Sequence, residues 1–152
     1  MEIGGLMSFL DTLKITGSAL TATRLRVDTI TQNLANISTT RTEEGGPYRR
    51  KLVVLKEQEL SFENVLNQSM SKSKKKNGGV IVSEIVESDN PFIPVYNPNH
   101  PDADENGYVL MPNVNSSEEQ VDLMAATRAY EANLTALNVV KTMAMKALEI
   151  GK

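Results

Sequence analysis

Apolar residues recur at heptad spacing near both ends of the 152-residue chain. Near the start they form two series three residues apart: Leu6, Leu13, Leu20, Val27 and Leu34, followed by Phe9, Thr16, Thr23, Ile30 and Ile37. This spacing is the a/d pattern of a coiled coil, although Thr weakens two of the d positions. The pattern predicts a long helix over residues 6–37.

The segment 116–150 predicts a second long helix, because no Gly or Pro interrupts it. Ser116 and Ser117 each precede a Glu or Gln by three residues, which predicts a capping-box start, and Gly151 predicts the stop. The main apolar seam of this helix runs through Leu123, Tyr130, Leu137 and Ala144, with Ala126, Asn133, Val140 and Ala147 beside it.

Further apolar residues of the second helix lie off this seam, among them Met124, Val139, Met143 and Met145. A two-helix hairpin hides only one stripe per helix, so the excess favours a subunit that packs its helices against copies or relatives. A hairpin with scattered surface apolar residues is the simpler alternative. The residues expected to pack are Leu13, Leu20, Val27, Ile30, Leu34, Leu123, Tyr130, Leu137, Val140 and Leu148.

The middle of the chain, residues 38–115, has a different composition. Segments 51–58 and 80–87 are rich in Val and Ile and predict strands, and 108–111 predicts a third, short one. Residues 71–79 predict a flexible Lys-rich loop, which suits a solvated surface better than a phosphate site. Four prolines predict an irregular segment over 90–101. We therefore predict an α+β fold in which the helices 6–37 and 116–150 pair as an antiparallel coiled-coil domain and 38–115 form a small β-rich, loop-rich segment.

Composition removes most catalytic chemistry. The chain has no Cys, one His and a formal net charge of −3. His100 has no second His or Cys to complete a transition-metal site. Four residues match the first half of an EF-hand calcium-binding loop: Asp102, Asp104, Asn106 and Gly107. The twelfth position of that loop needs a bidentate Glu, and here it is Asn113. We expect no enzyme activity, no cofactor, and no catalytic, cofactor-binding or metal-binding residues. The start predicts no cleavable signal peptide.

Three asparagines raise a separate question. Asn33 and Asn36 lie at the predicted end of the first helix, where they are interpreted either as a helix stop or as a contact. Asn133 occupies a d-type position among Ala and Leu. A buried amide costs stability but fixes the register of packed helices, because a slipped neighbour leaves it unpaired. We therefore hypothesise that these amides fix the register of the packed helices.

Four blocks of sequence resemble the rod, hook and hook–filament junction proteins of bacterial flagella, and within them the proximal-rod branch. They are DTITQNLANISTT at 28–40, EGGPYRRK at 44–51, YNPNHPDADENGYVLMPNVN at 96–115 and RAYEAN at 128–133. The four blocks occur in the same order as in the family, and the resemblance covers most of the chain. The Lys-rich insert has no evident counterpart.

The resemblance implies a structural subunit of the proximal rod that polymerises through its terminal helices into a torque-transmitting drive shaft. It implies as partners copies of the chain, other proximal and distal rod subunits, a ring–rod junction protein of the FliE type and the flagellar type III export apparatus, with no nucleic acid or small-molecule substrate. The implied location is the basal-body rod in the cell envelope. A soluble helical-hairpin export chaperone or adaptor is the alternative.

We also predict which residues of these blocks form contacts between helices and between subunits. We expect Arg128 and Glu131 of the last block, with Asn33, Asn36 and Asn133, to form the register motif. The expected inter-subunit loop consists of Gly46, Pro47, Tyr48, Arg49 and Arg50.

Overall fold

The computed structural model of the protein describes residues 3–58 and 78–150. Within them two long helices, α1 (Ile3–Ala35) and α2 (Ser116–Ile150), flank four strands in chain order. The strands are β1 (Lys51–Glu57), β2 (Val80–Glu87), β3 (Ile93–Tyr96) and β4 (Tyr108–Met111). The predicted α+β class is confirmed. Residues 71–77 of the predicted Lys-rich loop lie outside the described residues.

The two helices pack against each other in opposite directions. Arg26 of α1 lies 3.9 Å from Asp122 of α2. Two turns later in α1, Asn33 donates a hydrogen bond to Glu119, which comes one turn earlier in α2. Because the partner number falls as the α1 number rises, the pairing is antiparallel. Neither described helix carries enough continuous apolar sequence to cross a bilayer.

The chain forms two compact units. Unit 1 contains the described residues among 1–24, 55–83 and 128–152, and unit 2 contains residues 25–54 and 84–127. Each unit thus combines helical and strand residues. The predicted division into a helical domain and a middle segment follows a different criterion and stays a prediction.

The helix ends differ slightly from those predicted. The first helix ends at Ala35 instead of residue 37, and the Asn36 side chain donates to the Gln32 carbonyl at 2.9 Å. The predicted capping box is wrong, because the N-cap of α2 is Asn115. Its side-chain oxygen accepts from the backbone N–H of Ser117 at 3.0 Å and of Glu118 at 3.5 Å. Asn is as good an N-cap as Ser, and it stands one residue earlier.

The strands form two two-stranded sheets, β1 with β2 and β3 with β4. Strand β3 falls where four prolines had predicted irregular chain. Pro94 pairs with Leu110 in an antiparallel register. Three positions further along, the Asn97 N–H donates to the Gly107 carbonyl at 2.9 Å, so Asn97 and Gly107 form a hydrogen-bonded pair. Since hydrogen-bonded pairs alternate in an antiparallel ladder, Pro94 occupies a non-bonded position, where its missing N–H costs nothing.

The predicted packing residues of both helices mostly face inward. Ile30 is buried, and Leu13, Leu20, Val27, Leu34, Leu123, Tyr130, Leu137 and Val140 are half-buried. Leu148 is the exception, with 72% of its surface exposed. Half-burial on the seam shows that the heptad pattern selects the facing stripe. Whether these residues also pack neighbouring subunits stays a prediction.

In unit 1, the start of β2 approaches α1 closely. The Ser18 hydroxyl donates to the Ile15 carbonyl at 2.8 Å and accepts from the Val80 backbone N–H at 3.1 Å. Gly79, which precedes β2, has a φ of +98°, and a Cβ added there would lie 2.5 Å from the Ser18 oxygen. Ser18 is held by both hydrogen bonds, so it cannot move aside without breaking one. A glycine is therefore required at residue 79.

We expect Gly79→Ala to lower the free energy of unfolding by about 2 kcal/mol, from backbone strain plus the clash with Ser18. Gly45→Ala is the matched control, because Gly45 has a φ of +88° with nothing within 4 Å of an added Cβ. It carries strain alone and is expected to cost about 1 kcal/mol. Urea denaturation of both variants measures the difference. Equal losses would mean that the approach to Ser18 does not constrain the residue.

Candidate interaction site

The centre of unit 2 is the side-chain amide of Asn33, which is 1% exposed. Its nitrogen donates to the Lys51 carbonyl at 2.9 Å and to the Glu119 carboxylate at 3.0 Å. Its oxygen accepts from the Lys51 backbone N–H and from the Tyr48 hydroxyl, both at 2.9 Å. An asparagine side chain offers two donor hydrogens and two acceptor lone pairs, and all four are used.

The pair of bonds to Lys51 explains why the residue is asparagine. The amide presents one N–H and one C=O to the N–H and C=O of the same backbone residue, as a neighbouring strand would. Aspartate has no donor for the Lys51 carbonyl, and leucine has neither group. The helix α1 thereby fixes the first residue of β1. Asn33 is thus a tertiary contact, whereas Asn36 is the helix stop.

The second element of the site is the ion pair between Arg50 and Glu119. Glu119 is fully buried at 0% exposure, and one of its carboxylate oxygens accepts from the Arg50 Nε while the other accepts from Asn33. The Arg50 guanidinium also lies 3.2 Å from Glu118 and 3.4 Å from Asp122. Three carboxylates from the first turns of α2 therefore surround one cation. Acidic side chains are also favoured at a helix N-terminus by the helix dipole.

These surroundings change two pKa values. Burial lowers the pKa of Arg50, but the hydrogen bond to Glu119 and the charges of Glu119, Glu118 and Asp122 together raise it further, so the net pKa lies above its ordinary value. Burial raises the pKa of the Tyr48 hydroxyl, and the negative charges of Glu119 and Glu87 raise it more. Tyr48 therefore stays protonated and donates to Asn33.

Two backbone contacts extend the site from Arg50 to other parts of unit 2. The Arg50 N–H donates to the Asn113 side chain at 2.9 Å, and Asn113 in turn donates to the Asn90 carbonyl at 3.0 Å. The Ser88 N–H donates to the Arg50 carbonyl at 2.8 Å. Within the described residues, no buried side-chain nitrogen or oxygen lacks a partner. We call the set Asn33, Tyr48, Arg50, Lys51, Asn113 and Glu119 the polar junction.

The predicted inter-subunit loop is divided between the interior and the surface. Tyr48 is buried and the Arg50 side chain is 13% exposed, so both act within the chain. Removal of the Arg50 side chain is therefore expected to affect the fold of unit 2. Arg49 lies 4.5 Å from the Phe92 ring centre and donates to the Ser88 carbonyl at 3.2 Å. Gly46 and Pro47 line, with Arg49, an open groove of about 430 Å³.

The acidic turn that resembles an EF-hand opening is used for backbone hydrogen bonds. Asp104 accepts from the N–H groups of Asn106 and Tyr108 at 2.9 and 2.8 Å. Asp102 accepts from the Thr40 hydroxyl at 2.8 Å and pairs with Arg41. In the ranges 3–58 and 78–150, no group of three His, Asp or Glu residues is arranged to hold a metal ion.

The register motif is not gathered in one place. Asn33 lies in the polar junction, while Arg128, Glu131 and Asn133 are residues of unit 1 on α2. Asn133 is half-buried on the inward seam, and Arg128 and Glu131 are exposed. Sequence reasoning missed Glu119, Asn113 and Lys51. No sequence signal marked Glu119 as buried, because a glutamate in the first turn of a helix is usually exposed.

The outward side of α2 carries large apolar side chains. Val139 is 47% exposed, Met143 65% and Met145 55%, all off the inward seam. Val121 and Met124 are exposed on the same helix. In the single chain a large part of each of these side chains is exposed. These five residues are called the outer apolar residues of α2.

Comparison with known proteins gives two family matches and several full-length relatives. The model described as flagella basal body rod protein matches residues 13–41, which include Asn33. The model described as flagellar basal body rod FlgEFG protein C-terminal matches residues 105–150, which include Glu119. The flagellar basal-body rod protein FlgC of Bacillus subtilis is 50% identical over 150 residues, covering 96% of this chain and 100% of the relative.

Two further relatives carry the same name. The FlgC protein of Borreliella burgdorferi is 40% identical over 156 residues, covering 95% of this chain and 98% of the relative. The FlgC protein of Salmonella typhimurium is 40% identical over 146 residues, covering 96% of this chain and 100% of the relative.

We expect Asn33→Ala to lower the free energy of unfolding by about 3 kcal/mol or more, because it leaves the Lys51 N–H and other buried groups unpaired. Asn36→Ala is the matched control, since it removes one amide three residues away that bonds only at the helix end. Its expected cost is below about 1 kcal/mol. Equilibrium urea unfolding measures both, and equal costs would contradict the central position of Asn33.

Proposed function

The chain belongs to the FlgC family of flagellar basal-body rod proteins and is a structural subunit of the bacterial flagellar rod, and we propose that it polymerises through its terminal helices into the proximal rod. It is accordingly a component of the flagellar basal body and serves bacterial motility. We also propose that the subunit lies in the proximal part of the rod and that the assembled rod acts as a drive shaft.

The observation that carries the polymerisation proposal is the set of outer apolar residues of α2. The inward seam of the helix already packs within the chain, so these side chains need another surface. Exposed apolar residues in a protein that assembles are expected to form its subunit contacts. Copies of the chain and other rod subunits are the partners that this membership supports.

The mechanism we propose is mechanical. A shaft transmits torque only if each subunit resists shear between its parts. The polar junction supports this because its hydrogen bonds are directional and its Arg50–Glu119 ion pair is largely buried, so a slide of α1 against β1 or α2 breaks several bonds at once. The relatives are named as flagellar basal-body rod proteins, and catalysis is no part of the proposed role.

Further partners and the route of export extend the proposal. We infer contacts with a FliE-type ring–rod junction protein and passage through the flagellar type III export apparatus. The loop at Gly46, Pro47 and Arg49 is the proposed site of neighbouring contact, because it lines an open groove on the surface of unit 2. The export chaperone alternative has no support from the comparisons.

Asn133 is the proposed register residue among the helices. Its side chain is half-buried on the seam of α2, between Ala126 and Val140 at heptad spacing. An amide in such a position is favourable only where a neighbouring polar group meets it. The proposal is that a helix of an adjacent subunit supplies this group in the assembled rod.

We expect Val139→Asp combined with Met143→Asp to abolish motility while leaving the isolated subunit as stable as wild type within about 1 kcal/mol, since both residues are exposed in the chain. Thr127→Asp adds one charge at an exposed polar position of the same helix and is the control. Complementation of a deletion strain, scored by swimming and by rod formation in isolated basal bodies, measures the effect. Normal rods in the double variant would reject the outer apolar residues as subunit contacts.

We expect Asn133→Leu to give a helical protein at least as stable as wild type, because each added buried methylene contributes about 0.8 kcal/mol. If the amide fixes register, the same variant builds no functional rod. Complementation of the deletion strain combined with thermal unfolding of the purified subunit separates the two effects. Normal swimming with a stable subunit would reject a register role.

A further inference from the structure

The interior of unit 2 contains both apolar and polar side chains. Its buried apolar residues are Ile30, Tyr48, Val109, Pro112, Val114 and Ala126. Its buried polar residues are Thr29, Asn33, Ser88 and Glu119. Hydrophobic burial tolerates small shifts, whereas hydrogen bonds require defined partners. The closed state of unit 2 therefore depends on particular polar contacts.

Those contacts converge on one carboxylate. The two oxygens of Glu119 accept from Asn33 and from Arg50, and both donors are themselves buried or nearly so. Glu119 is the only member of this trio that supplies acceptors to the other two. If its carboxylate is absent, the Asn33 amide and the Arg50 Nε both lose their acceptor in the interior, although Glu118 and Asp122 still face the guanidinium. A buried donor without an acceptor is among the costly defects of a folded protein.

The donors and the acceptor are far apart along the chain. Asn33 and Glu119 are 86 positions apart, and Arg50 and Glu119 are 69 apart. The segment from Asn33 to Lys51 therefore gains its acceptor only when the first turn of α2 docks. We infer that Glu119 is a latch: its carboxylate closes the segment 33–51 onto α2, and loss of that carboxylate opens unit 2 locally.

Substitution by glutamine tests the latch because it preserves shape. The glutamine side chain has one oxygen and one NH2 group, so only one of its two ends accepts a hydrogen bond. At position 119 it must turn a donor toward Asn33 or toward Arg50, and both are donors. Glu118→Gln is the matched control, since Glu118 precedes it, is 58% exposed and meets the same guanidinium at 3.2 Å.

Amide hydrogen exchange of the full chain, followed by NMR, measures the opening. In Glu119→Gln the N–H groups of Lys51, Arg50 and Ser88, whose acceptors are Asn33, Asn113 and Arg50, are expected to exchange about 100-fold faster. In Glu118→Gln the change is expected to stay within about threefold. The Val80 N–H, which donates to Ser18 in unit 1, is the internal reference and is expected to change by less than about threefold in both variants.

Three results would overturn the latch. One is equal exchange rates in the Glu119→Gln and Glu118→Gln variants. The second is acceleration of the Val80 amide by the same factor as the Lys51 amide, which would mean general destabilisation. If Glu119→Gln yields no folded chain, Arg50→Lys carries the test, because lysine keeps the charge but loses the fork of donors. It is expected to accelerate the Lys51 and Ser88 amides about tenfold with Val80 unchanged, and unchanged rates at all three would be the third contrary result.

Discussion

The structure of unit 2 depends on a buried carboxylate that is shared by an amide and a guanidinium. Glu119 lies on α2, Asn33 lies on α1 and Arg50 lies immediately before β1. Three segments that are distant in the chain therefore meet at one set of hydrogen bonds. A buried ion pair is weak evidence for high stability, because desolvation offsets much of the attraction. Its effect here is on alignment, because a shift of α1 along α2 would take the Asn33 amide away from one of the two carboxylate oxygens. In the antiparallel pairing of α1 and α2, Asn33 lies next to the first turn of α2, where this contact forms.

A rod subunit needs stable contacts within the chain and a surface that binds neighbouring subunits. Different sides of α2 supply these two kinds of contact. Its inward seam and first turn form the contacts within the chain. Its outer apolar residues are left for neighbours, which agrees with membership of a family of structural rod proteins. The polar junction lies at the start of α2, whereas Val139, Met143 and Met145 lie toward its end. A substitution can therefore impair folding or assembly separately.

The heptad spacing predicted both helices to within a few residues, and the Val- and Ile-rich segments predicted three of the four strands. These features are visible in sequence because each depends on local periodicity. Strand β3 was missed because a proline is tolerated in a strand where its nitrogen needs no hydrogen bond. Whether Pro94 occupies such a position depends on its pairing with β4, which local sequence does not show. Asn33 was noticed for its residue type, but its function depends on Lys51 and Glu119, which are remote in the chain. Glu119 was read as part of a helix cap, since nothing local distinguishes an exposed first-turn glutamate from a buried one. Resemblance to a family identified the protein class but did not locate the polar junction.

The most direct test of this account is a double-mutant cycle between Arg50 and Glu119, with Arg50→Ala, Glu119→Ala and the combined variant compared by urea unfolding. Arg50→Ala leaves the Glu119 carboxylate buried without a cation and is expected to cost about 3–5 kcal/mol. Glu119→Ala leaves the Asn33 amide and the Arg50 Nε without their shared acceptor, although Glu118 and Asp122 still face the guanidinium, and is expected to cost about 2–3 kcal/mol. The combined variant removes both charges, so its cost is expected to fall at least about 2 kcal/mol below the sum of the two. Additive costs, with no coupling between the residues, would contradict the claim that this ion pair determines how the three segments meet.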